Sequence, residues 1–266
     1  MIQSRYTARS GLNTLQQRLD TIANNMANVG TVGYKASRAD FKTLMFQELQ
    51  RPVQPQEDDN LNRGVGTTLG ATTRSFAAGT PTSSGYPLDF MLQGDGFFTV
   101  QDSDGQLSYT RDGTFALSEE GQASYLVTSD GAYVMGKNNQ KINVAGANLS
   151  DIQVAKDGRV YIVRTDNTVT PPTQTFTQAG QLDIKKFMNR KGLEAVGANK
   201  FRQTENSGAP QDDVDTHVIQ GYREGSNVDL AQEMTRLIRT QRVFSLVSSA
   251  LTTADEMDHQ ANTIRG

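Results

Sequence analysis

The chain has 266 residues, with 26 Lys and Arg against 29 Asp and Glu, and it contains no Cys or Trp. The lack of cysteine excludes disulfides, thiolate metal sites and cysteine nucleophiles, and two histidines are too few for a multi-histidine zinc centre without distant carboxylates. The formal net charge is −3, and basic and acidic residues are interspersed. Because a phosphate-backbone binder needs a clustered basic face, nucleic acid is not an expected partner.

The first twenty residues, MIQSRYTARSGLNTLQQRLD, contain three arginines and no long apolar run. They therefore do not match a secretory signal peptide, which needs an apolar region of about 7 to 15 residues. No stretch approaches the roughly 20 apolar residues that cross a bilayer. If the protein leaves the cytosol, another export route is expected.

A helix with one narrow apolar stripe is predicted near the N-terminus. Apolar residues recur there every three or four positions, which is the spacing of a coiled-coil seam. The stripe consists of Leu12, Leu15, Leu19, Ile22, Met26 and Val29. Gly30 and Gly33 are expected to end the helix, since glycine readily adopts the left-handed conformation just past a helix end.

A second helix is predicted from Ser226 to the last few residues. Ser226 and Asn227 are good N-cap residues, and Ser226 with Asp229 forms a helix-start signal. Apolar residues follow at helical spacing, with interruptions at Gln241 and Ser248: Leu230, Met234, Leu237, Ile238, Phe244, Val247, Leu251 and Ala254. Isolated helices are marginal in water, so we expect both ends to be poorly ordered in a free subunit and to fold against each other and neighbouring copies. The alternative is a terminal helix pair that caps an ordinary globular protein.

The middle of the chain divides into a connector and a β region. Residues 36–86 are predicted to form an extended connector, because much of this segment is rich in Pro, Gly, Asn, Thr and Ser. Residues 87–225 contain short apolar runs separated by Asp-Gly and Glu-Gly turns, which indicate β-hairpins. The predicted fold is α+β, with a discontinuous terminal coiled coil of residues 1–35 and 226–266 and a central, predominantly antiparallel β domain over 87–225.

Motifs for catalysis or metal binding are weak. Asp102-x-Asp104-Gly105 resembles the start of a calcium loop but lacks its later acidic ligands, so a hairpin turn is favoured. The acidic runs at 57–59 and 212–215 contain enough carboxylates for glycoside hydrolysis, but their polar surroundings favour solvated loops. We expect no enzymatic activity, cofactor, metal ion or small-molecule substrate.

Three motifs, in chain order, resemble those of the bacterial flagellar rod and hook protein family. They are NNMANVGTVGYK at 24–35, LQGDGFFTV with YTRDGTF between 92 and 115, and SNVDLAQEMTRLIRTQR at 226–242. Within the family, GLEAVGANKFRQTENSGAP at 192–210 is most similar to the distal-rod type. Proximal-rod and hook relatives are the alternatives inside the family. A carbohydrate-active β domain on a helical oligomerisation stalk is the alternative outside it.

The resemblance implies a structural subunit of the flagellar basal body in the cell envelope. Terminal helices would form an inner coiled-coil tube around the export channel, inside an outer layer of β domains, and the helical homopolymer would transmit torque from motor to hook. Export would use the flagellar type III apparatus without a cleaved signal peptide. The implied partners are other copies of the chain, neighbouring rod and hook proteins, and ring proteins around the rod. Residues 51–60, RPVQPQEDDN, depart from the distal-rod pattern.

The predicted assembly interface combines both apolar stripes with residues of the first motif. By resemblance, Asn24, Asn25 and Asn28 form hydrogen bonds between helices; the alternative is that they weaken and end the first helix. Tyr34 either anchors the following turn against a neighbour or is an ordinary half-buried tyrosine. The full predicted interface is Leu12, Leu15, Leu19, Ile22, Asn24, Asn25, Met26, Asn28, Val29, Tyr34, Leu230, Met234, Leu237, Ile238, Phe244, Val247 and Leu251.

Overall fold

The structure is a computed structural model that describes residues 2–44, 46–48, 62–64, 66–121, 123–146, 148–166 and 173–265. The chain forms two compact units, each built from segments far apart in sequence. The first unit comprises Met1–Ala27, Ser37–Arg74 and Asp229–Gly266, and the second comprises Asn28–Ala36 and Ser75–Val228. The predicted α+β fold is confirmed, because a helix lies at each end of the chain and antiparallel strands lie between them.

The first unit consists of the two helices and four strands. The elements are α1 (Ile2–Ala27), β1 (Ser37–Thr43), β2 (Phe46–Glu48), β3 (Asn62–Gly64), β4 (Thr67–Arg74) and α2 (Leu230–Arg265). The two helices pack against each other, and α1 also packs against β1 and β4. Among the described residues, no helix is long and apolar enough to cross a membrane.

The segment predicted as an extended connector contains paired strands. β1 and β4 form an antiparallel ladder that runs from Ser37 opposite Arg74 to Thr43 opposite Thr67. Two side chains of α1 support this ladder: Thr14 shares a 3.2 Å hydrogen bond with Thr67, and Asn25 is bonded to the backbone of Ser37. The connector prediction is therefore wrong for these strands, which carry too few apolar residues for an alternating pattern to reveal them. Residues 51–60 lie outside the described residues.

The second unit is almost entirely β structure. Its strands are β5 (Pro81–Ser83), β6 (Phe90–Gln93), β7 (Phe97–Gln101), β8 (Leu107–Thr110), β9 (Phe115–Glu120), β10 (Ala123–Thr128), β11 (Tyr133–Gly136), β12 (Gln140–Lys141), β13 (Ile152–Val154), β14 (Arg159–Asp166), β15 (Thr173–Gln181), β16 (Ile184–Lys186), β17 (Glu194–Gly197), β18 (Lys200–Arg202), β19 (Gln211–Asp212), β20 (His217–Gln220) and β21 (Tyr222–Glu224). The central sheet has the order β17-β18-β8-β7-β11-β10-β9, with β12 beside β11, β16 beside β7 and β19 beside β16. A three-stranded sheet, β13-β14-β15, and the pairs β20-β6 and β21-β5 complete the unit.

Glycines in the predicted turns serve two different purposes. Gly105, Gly131 and Gly158 have φ between 77° and 84° and lie between paired antiparallel strands, as the hairpin interpretation predicts. Gly113 differs, since its φ is not positive. A Cβ at Gly113 would lie 1.8 Å from the carbonyl oxygen of Phe90, so this glycine allows two backbone segments to approach closely.

The second unit has two apolar clusters. The larger cluster contains fully buried side chains such as Leu88, Phe98 and Leu126. The smaller is largely aromatic, and its rings meet edge to face, with centroids 4.8 Å apart for Tyr109 and Phe187. Adjacent residues of β7 enter different clusters, Phe97 the smaller and Phe98 the larger, which accounts for the short continuous apolar runs in the sequence.

We predict that Leu126→Ala lowers the free energy of unfolding by about 2 to 5 kcal/mol, because it leaves a cavity in a packed core. Urea unfolding followed by circular dichroism measures the change. Leu149→Ala is the matched control, since Leu149 is 41 % exposed. It should change the free energy by no more than about 0.5 kcal/mol. Equal losses in the two variants would contradict the assignment of Leu126 to the core.

Candidate assembly interface

The two terminal helices form an antiparallel pair. Arg5, near the start of α1, forms ion pairs with Asp255 and Asp258 in the last third of α2, and its Nε lies 3.6 Å from Asp258 Oδ2. On the α1 stripe, Ile22 is 4 % exposed and Leu12, Leu15, Leu19 and Met26 are half-buried. Within one subunit, α1 therefore buries most of the stripe that the sequence identifies.

On α2 the most buried face differs from the predicted stripe. Glu233 and Thr240 are each 4 % exposed, and they lie in a heptad-like row with half-buried Leu237, Phe244, Val247 and Leu251. The Thr240 hydroxyl donates 2.8 Å to the Arg236 carbonyl, so this polar group is satisfied within its own helix. Hydrophobicity patterns miss such positions because they score only apolar residues.

Three predicted interface residues on α2 lie outside this face. Leu230, Met234 and Ile238 are 39 %, 46 % and 51 % exposed, respectively, and follow one another at intervals of four residues. Residues four apart on a helix are surface neighbours, so these side chains form one continuous row, which we call the α2 row. Val243, Leu246 and Met257 add further exposed apolar area to the helix. Contiguous apolar surface of this kind marks interaction sites.

The asparagines of the first motif lie in different environments. Asn25 is 1 % exposed; its Nδ2 donates 2.8 Å to the Ser37 carbonyl, and its Oδ1 accepts a 2.9 Å bond from the Ser37 amide. The amide thus binds the first residue of β1, and the expected hydrogen bonds between helices stay a prediction. In the second unit, Asn28 Oδ1 accepts from the Thr31 hydroxyl at 3.1 Å. Asn24 is exposed.

The part of the motif after Asn28 belongs to the second unit. Val29 is 38 % exposed and Tyr34 is half-buried. Gly33 has φ of +69°, and a Cβ there would lie 2.8 Å from the amide nitrogen of Asp112. Both the turn and the close packing therefore require glycine at this position. Participation of Val29 and Tyr34 in assembly stays a prediction.

Three buried charged residues meet inside the second unit, and each lies in or just before one of the three motifs. Lys35 Nζ donates 2.6 Å to Glu224 Oε1, and Arg111 Nη1 lies 3.4 Å from Glu224 Oε2. All three side chains are at most 1 % exposed. Lys35 ends the first motif, Arg111 belongs to the second, and Glu224 precedes the third. We call these residues the charge cluster.

Further polar contacts satisfy most of the charge cluster, although Arg111 Nε is buried without a hydrogen-bond partner among the described residues. Lys35 Nζ also donates to the Ala77 carbonyl at 2.8 Å, and Glu224 Oε1 accepts from the Gly79 amide at 2.9 Å. Arg111 Nη2 donates to the Gly94 carbonyl at 2.7 Å. Burial lowers the pKa of Lys35 and of Arg111, while the Glu224 carboxylate opposes both shifts. Sequence reasoning missed the cluster because a single lysine or glutamate gives no periodic signal.

The helix cap of α2 lies in the polar loop that precedes the helix. Ser226 and Asn227 were the predicted N-caps, but α2 begins at Leu230 and Asp229 Oδ1 accepts from the amides of Ala231 and Gln232, at 3.0 and 3.2 Å. The predicted N-cap is therefore wrong by two or three residues. An aspartate at the cap satisfies amides that have no partner within the helix.

Asn227 instead ties segments of the second unit together. Its Oδ1 accepts a 2.7 Å bond from the Ala36 amide, and its Nδ2 donates 2.8 Å to the Ser75 carbonyl and 3.1 Å to the Ala77 carbonyl. In addition, the Gly33 amide donates 2.8 Å to the backbone carbonyl of Glu224. The segment that follows α1 and the segment that precedes α2 are thus joined side by side.

The acidic motifs are engaged in local structure. Asp102 accepts from Lys200 Nζ at 2.6 Å in the turn between β7 and β8, which supports the hairpin interpretation. Asp213 Oδ1 accepts from the amides of Asp215 and Thr216 in its own loop, at 3.0 and 3.3 Å. The run at 57–59 lies outside the described residues. Among the residues that the structure describes, no group of His, Asp and Glu has the arrangement of a metal site.

Three family descriptions match successive parts of the chain. Residues 6–35 match "Flagella basal body rod protein", residues 91–162 match "Flagellar hook protein FlgE/F/G D1 domain", and residues 219–264 match "Flagellar basal body rod FlgEFG protein C-terminal". The first match contains most of α1 together with Lys35, the second contains Arg111, and the third contains Glu224 and nearly all of α2. The matched regions therefore include most of the helix pair and every member of the charge cluster.

Full-length relatives give a consistent result. The chain is 35 % identical to the flagellar basal-body rod protein FlgG of Caulobacter vibrioides, over 99 % of this chain and 100 % of the relative. It is 34 % identical to the FlgG protein of Bacillus subtilis, over 97 % of each chain. The flagellar basal-body rod protein FlgF of Caulobacter vibrioides is 31 % identical, over 96 % of this chain and 95 % of the relative.

We predict that Lys35→Met lowers the free energy of unfolding by about 3 to 5 kcal/mol, because removing one member of a buried ion pair leaves uncompensated charge. Glu224→Gln should cost a similar amount, and the double variant should lose less than the sum of the two. Urea unfolding followed by circular dichroism checks all three. Lys156→Met, at an exposed lysine, is the control and should stay within about 0.5 kcal/mol of the unchanged protein. Additive losses would mean that the two side chains act independently.

Proposed function

Since the chain belongs to the family of flagellar hook and basal-body rod proteins, we propose that it polymerises through its terminal helices into the distal part of the rod. It is a structural subunit of the flagellar basal-body rod. As a helical tube, the polymer would transmit torque from motor to hook and enclose the export channel. The observation that carries the proposal is the α2 row, because it is apolar surface that the subunit leaves exposed.

Membership of the basal-body rod family favours a polymer over a closed oligomer. A head-to-tail contact that does not close into a ring produces a filament. Covering the half-exposed Leu230, Met234 and Ile238 would contribute on the order of 1 kcal/mol each. A single contact of this size is weak, but the same contact recurs between successive subunits along a filament. We retain the prediction that both helices gain order when copies assemble.

The distal rod is the position that the relatives favour. The FlgG proteins of two bacteria match at 34 to 35 % identity over nearly the whole chain, whereas the FlgF protein matches at 31 %. A proximal position is the second candidate, and the FlgF match is the observation in its favour. Partners would be further copies, the adjoining rod and hook proteins, and ring proteins around the rod. We propose that the subunit carries no catalytic activity and leaves the cell through the flagellar type III apparatus without a cleaved signal peptide.

We predict that Met234→Asp abolishes incorporation into the rod and leaves the free subunit folded. A carboxylate on the α2 row stays hydrated in the monomer, but burial in an interface would leave it unpaired. Sedimentation should show a critical concentration for assembly raised at least about a hundredfold, which corresponds to about 2.7 kcal/mol. Cells that carry the variant in place of the original protein should be non-motile.

Thr235→Asp is the control, because Thr235 is exposed on the same turn but lies off the α2 row, and the two residue types have similar helix propensity. It should assemble normally. Leu237→Asp introduces the same charge on the half-buried side and should weaken the helix pair itself, seen as lost helical signal. Normal assembly and motility of Met234→Asp would refute the proposed role of the row.

A further inference from the structure

A polar cavity of about 280 Å³ lies in the first unit, lined by residues of α1, of β1 and of the first two turns of α2. Its size corresponds to about nine water molecules at roughly 30 Å³ each, so it has room for a side chain. Arg38, at its edge, has a side chain that is 76 % exposed, so the cavity is reached from the surface. Ile22 of the α1 stripe and Glu233 of the buried α2 face line this cavity, whereas Leu230, Met234 and Ile238 of the α2 row do not.

The cavity contains one buried acceptor that is not satisfied. The Glu233 side chain is 5 % exposed, and its Oε1 accepts a 2.5 Å bond from Arg236 Nη1. Its Oε2 is fully buried and has no hydrogen-bond partner among the described residues. Leaving a buried charged group without its hydrogen bonds destabilises the folded subunit. The position of Glu233 in the first turn of α2 favours a negative charge but does not supply the missing donor.

Unused donors lie on another wall of the same cavity. The Arg18 guanidinium lies 6.0 Å from the centre of the Phe41 ring and forms no ion pair with any described residue. A guanidinium carries five N–H donors and accepts none. Arg38 and Arg236 also line the cavity, but each is already paired with an acid, Asp40 and Glu233 respectively. The cavity thus combines a buried acceptor that has no partner with an exposed guanidinium that forms no ion pair among the described residues.

We propose that this cavity receives the side-chain amide of an Asn or Gln from a second copy of the chain. An ionised carboxylate has no donor for Glu233 Oε2, and an ammonium group has no acceptor for Arg18. An amide is neutral and carries both functions: its NH₂ donates to Glu233 Oε2, and its carbonyl accepts from Arg18. The cavity therefore acts as a registration site, which sets how far one copy is shifted along the next.

A second copy can provide such a group from its helix pair. Exposed amide side chains occur along both helices, at Asn13, Gln16, Gln17, Gln232, Gln241 and Gln260. This step rests on the proposed function, since it requires copies to pack through their terminal helices. It adds to that function a polar contact with fixed geometry, whereas the apolar α2 row could slide.

Glu233→Gln tests the proposal because it should affect the free subunit and the polymer differently. The amide that replaces Oε2 is a donor, so it would face the incoming NH₂ group of the second copy. The critical concentration for assembly, measured by sedimentation, should rise at least about tenfold, which corresponds to about 1.4 kcal/mol. The urea midpoint of the free subunit should not fall, because burying a neutral amide costs less than burying a carboxylate.

Glu256→Gln is the matched control, since it makes the same change at an exposed position of α2. It should assemble like the original protein. If Glu233→Gln also assembles normally, water alone satisfies the carboxylate and the proposal is wrong. If it lowers the urea midpoint as much as it weakens assembly, Glu233 is structural and the proposal is again wrong.

The donor amide can be found by replacing each exposed amide with alanine. One of these variants should raise the critical concentration to the same degree as Glu233→Gln, and the double variant should be no worse than either single one. Additivity for every pair would overturn the proposal. Met234→Asp separates a failure of the registration site from a failure of the proposed polymerisation. If Met234→Asp blocks assembly and Glu233→Gln does not, the registration site is wrong and the proposed polymerisation stands.

Discussion

Burial of only one side of α2 is the constraint on which the rest of the account depends. Helix α1 packs against α2 on one face and against β1 and β4 on another, so its apolar stripe and its polar face are both used. Among the described residues, α2 packs chiefly against α1, and it keeps Leu230, Met234 and Ile238 outside. The subunit therefore has apolar surface that a further copy can cover.

The charge cluster serves a different purpose from apolar packing. Buried ion pairs contribute little net stability, because desolvation offsets their attraction, but their partners must be in place for the charges to be tolerated. Here Lys35 follows α1 and Glu224 precedes α2, so the cluster, with Asn227, joins the two segments that lead to the helices. We infer that it specifies where the chain leaves and re-enters the second unit.

The sequence predicted elements with local signals and missed those that depend on distant partners. The α1 stripe and the hairpins at Gly105, Gly131 and Gly158 follow from spacing and turn chemistry, and the structure has them. Lys35 and Glu224 are 189 residues apart, and no local pattern identifies their pairing. The same reason explains why the β1 and β4 ladder was missed, since its support comes from Thr14 and Asn25 on α1.

Polar residues account for most of the differences between the predicted apolar stripes and the positions that are buried in the structure. Glu233 and Thr240 occupy buried positions of α2 that an apolar pattern assigns to neighbouring Met234 and Ile238. The Asn25 amide binds the backbone of Ser37 in its own subunit, a contact with β1 that the sequence did not indicate. In each case the side chain is buried because a specific hydrogen bond or ion pair satisfies at least part of it, which hydropathy does not register.

Oxidative footprinting of methionine side chains tests the central claim most directly, by comparing free subunits with assembled polymer. Met234 lies on the α2 row and is 46 % exposed, whereas Met188, in the second unit, is 88 % exposed and serves as the internal reference. Assembly should slow oxidation of Met234 severalfold relative to Met188, because another copy covers the row. Equal oxidation of Met234 before and after assembly would show that the row stays in solvent and would contradict the account.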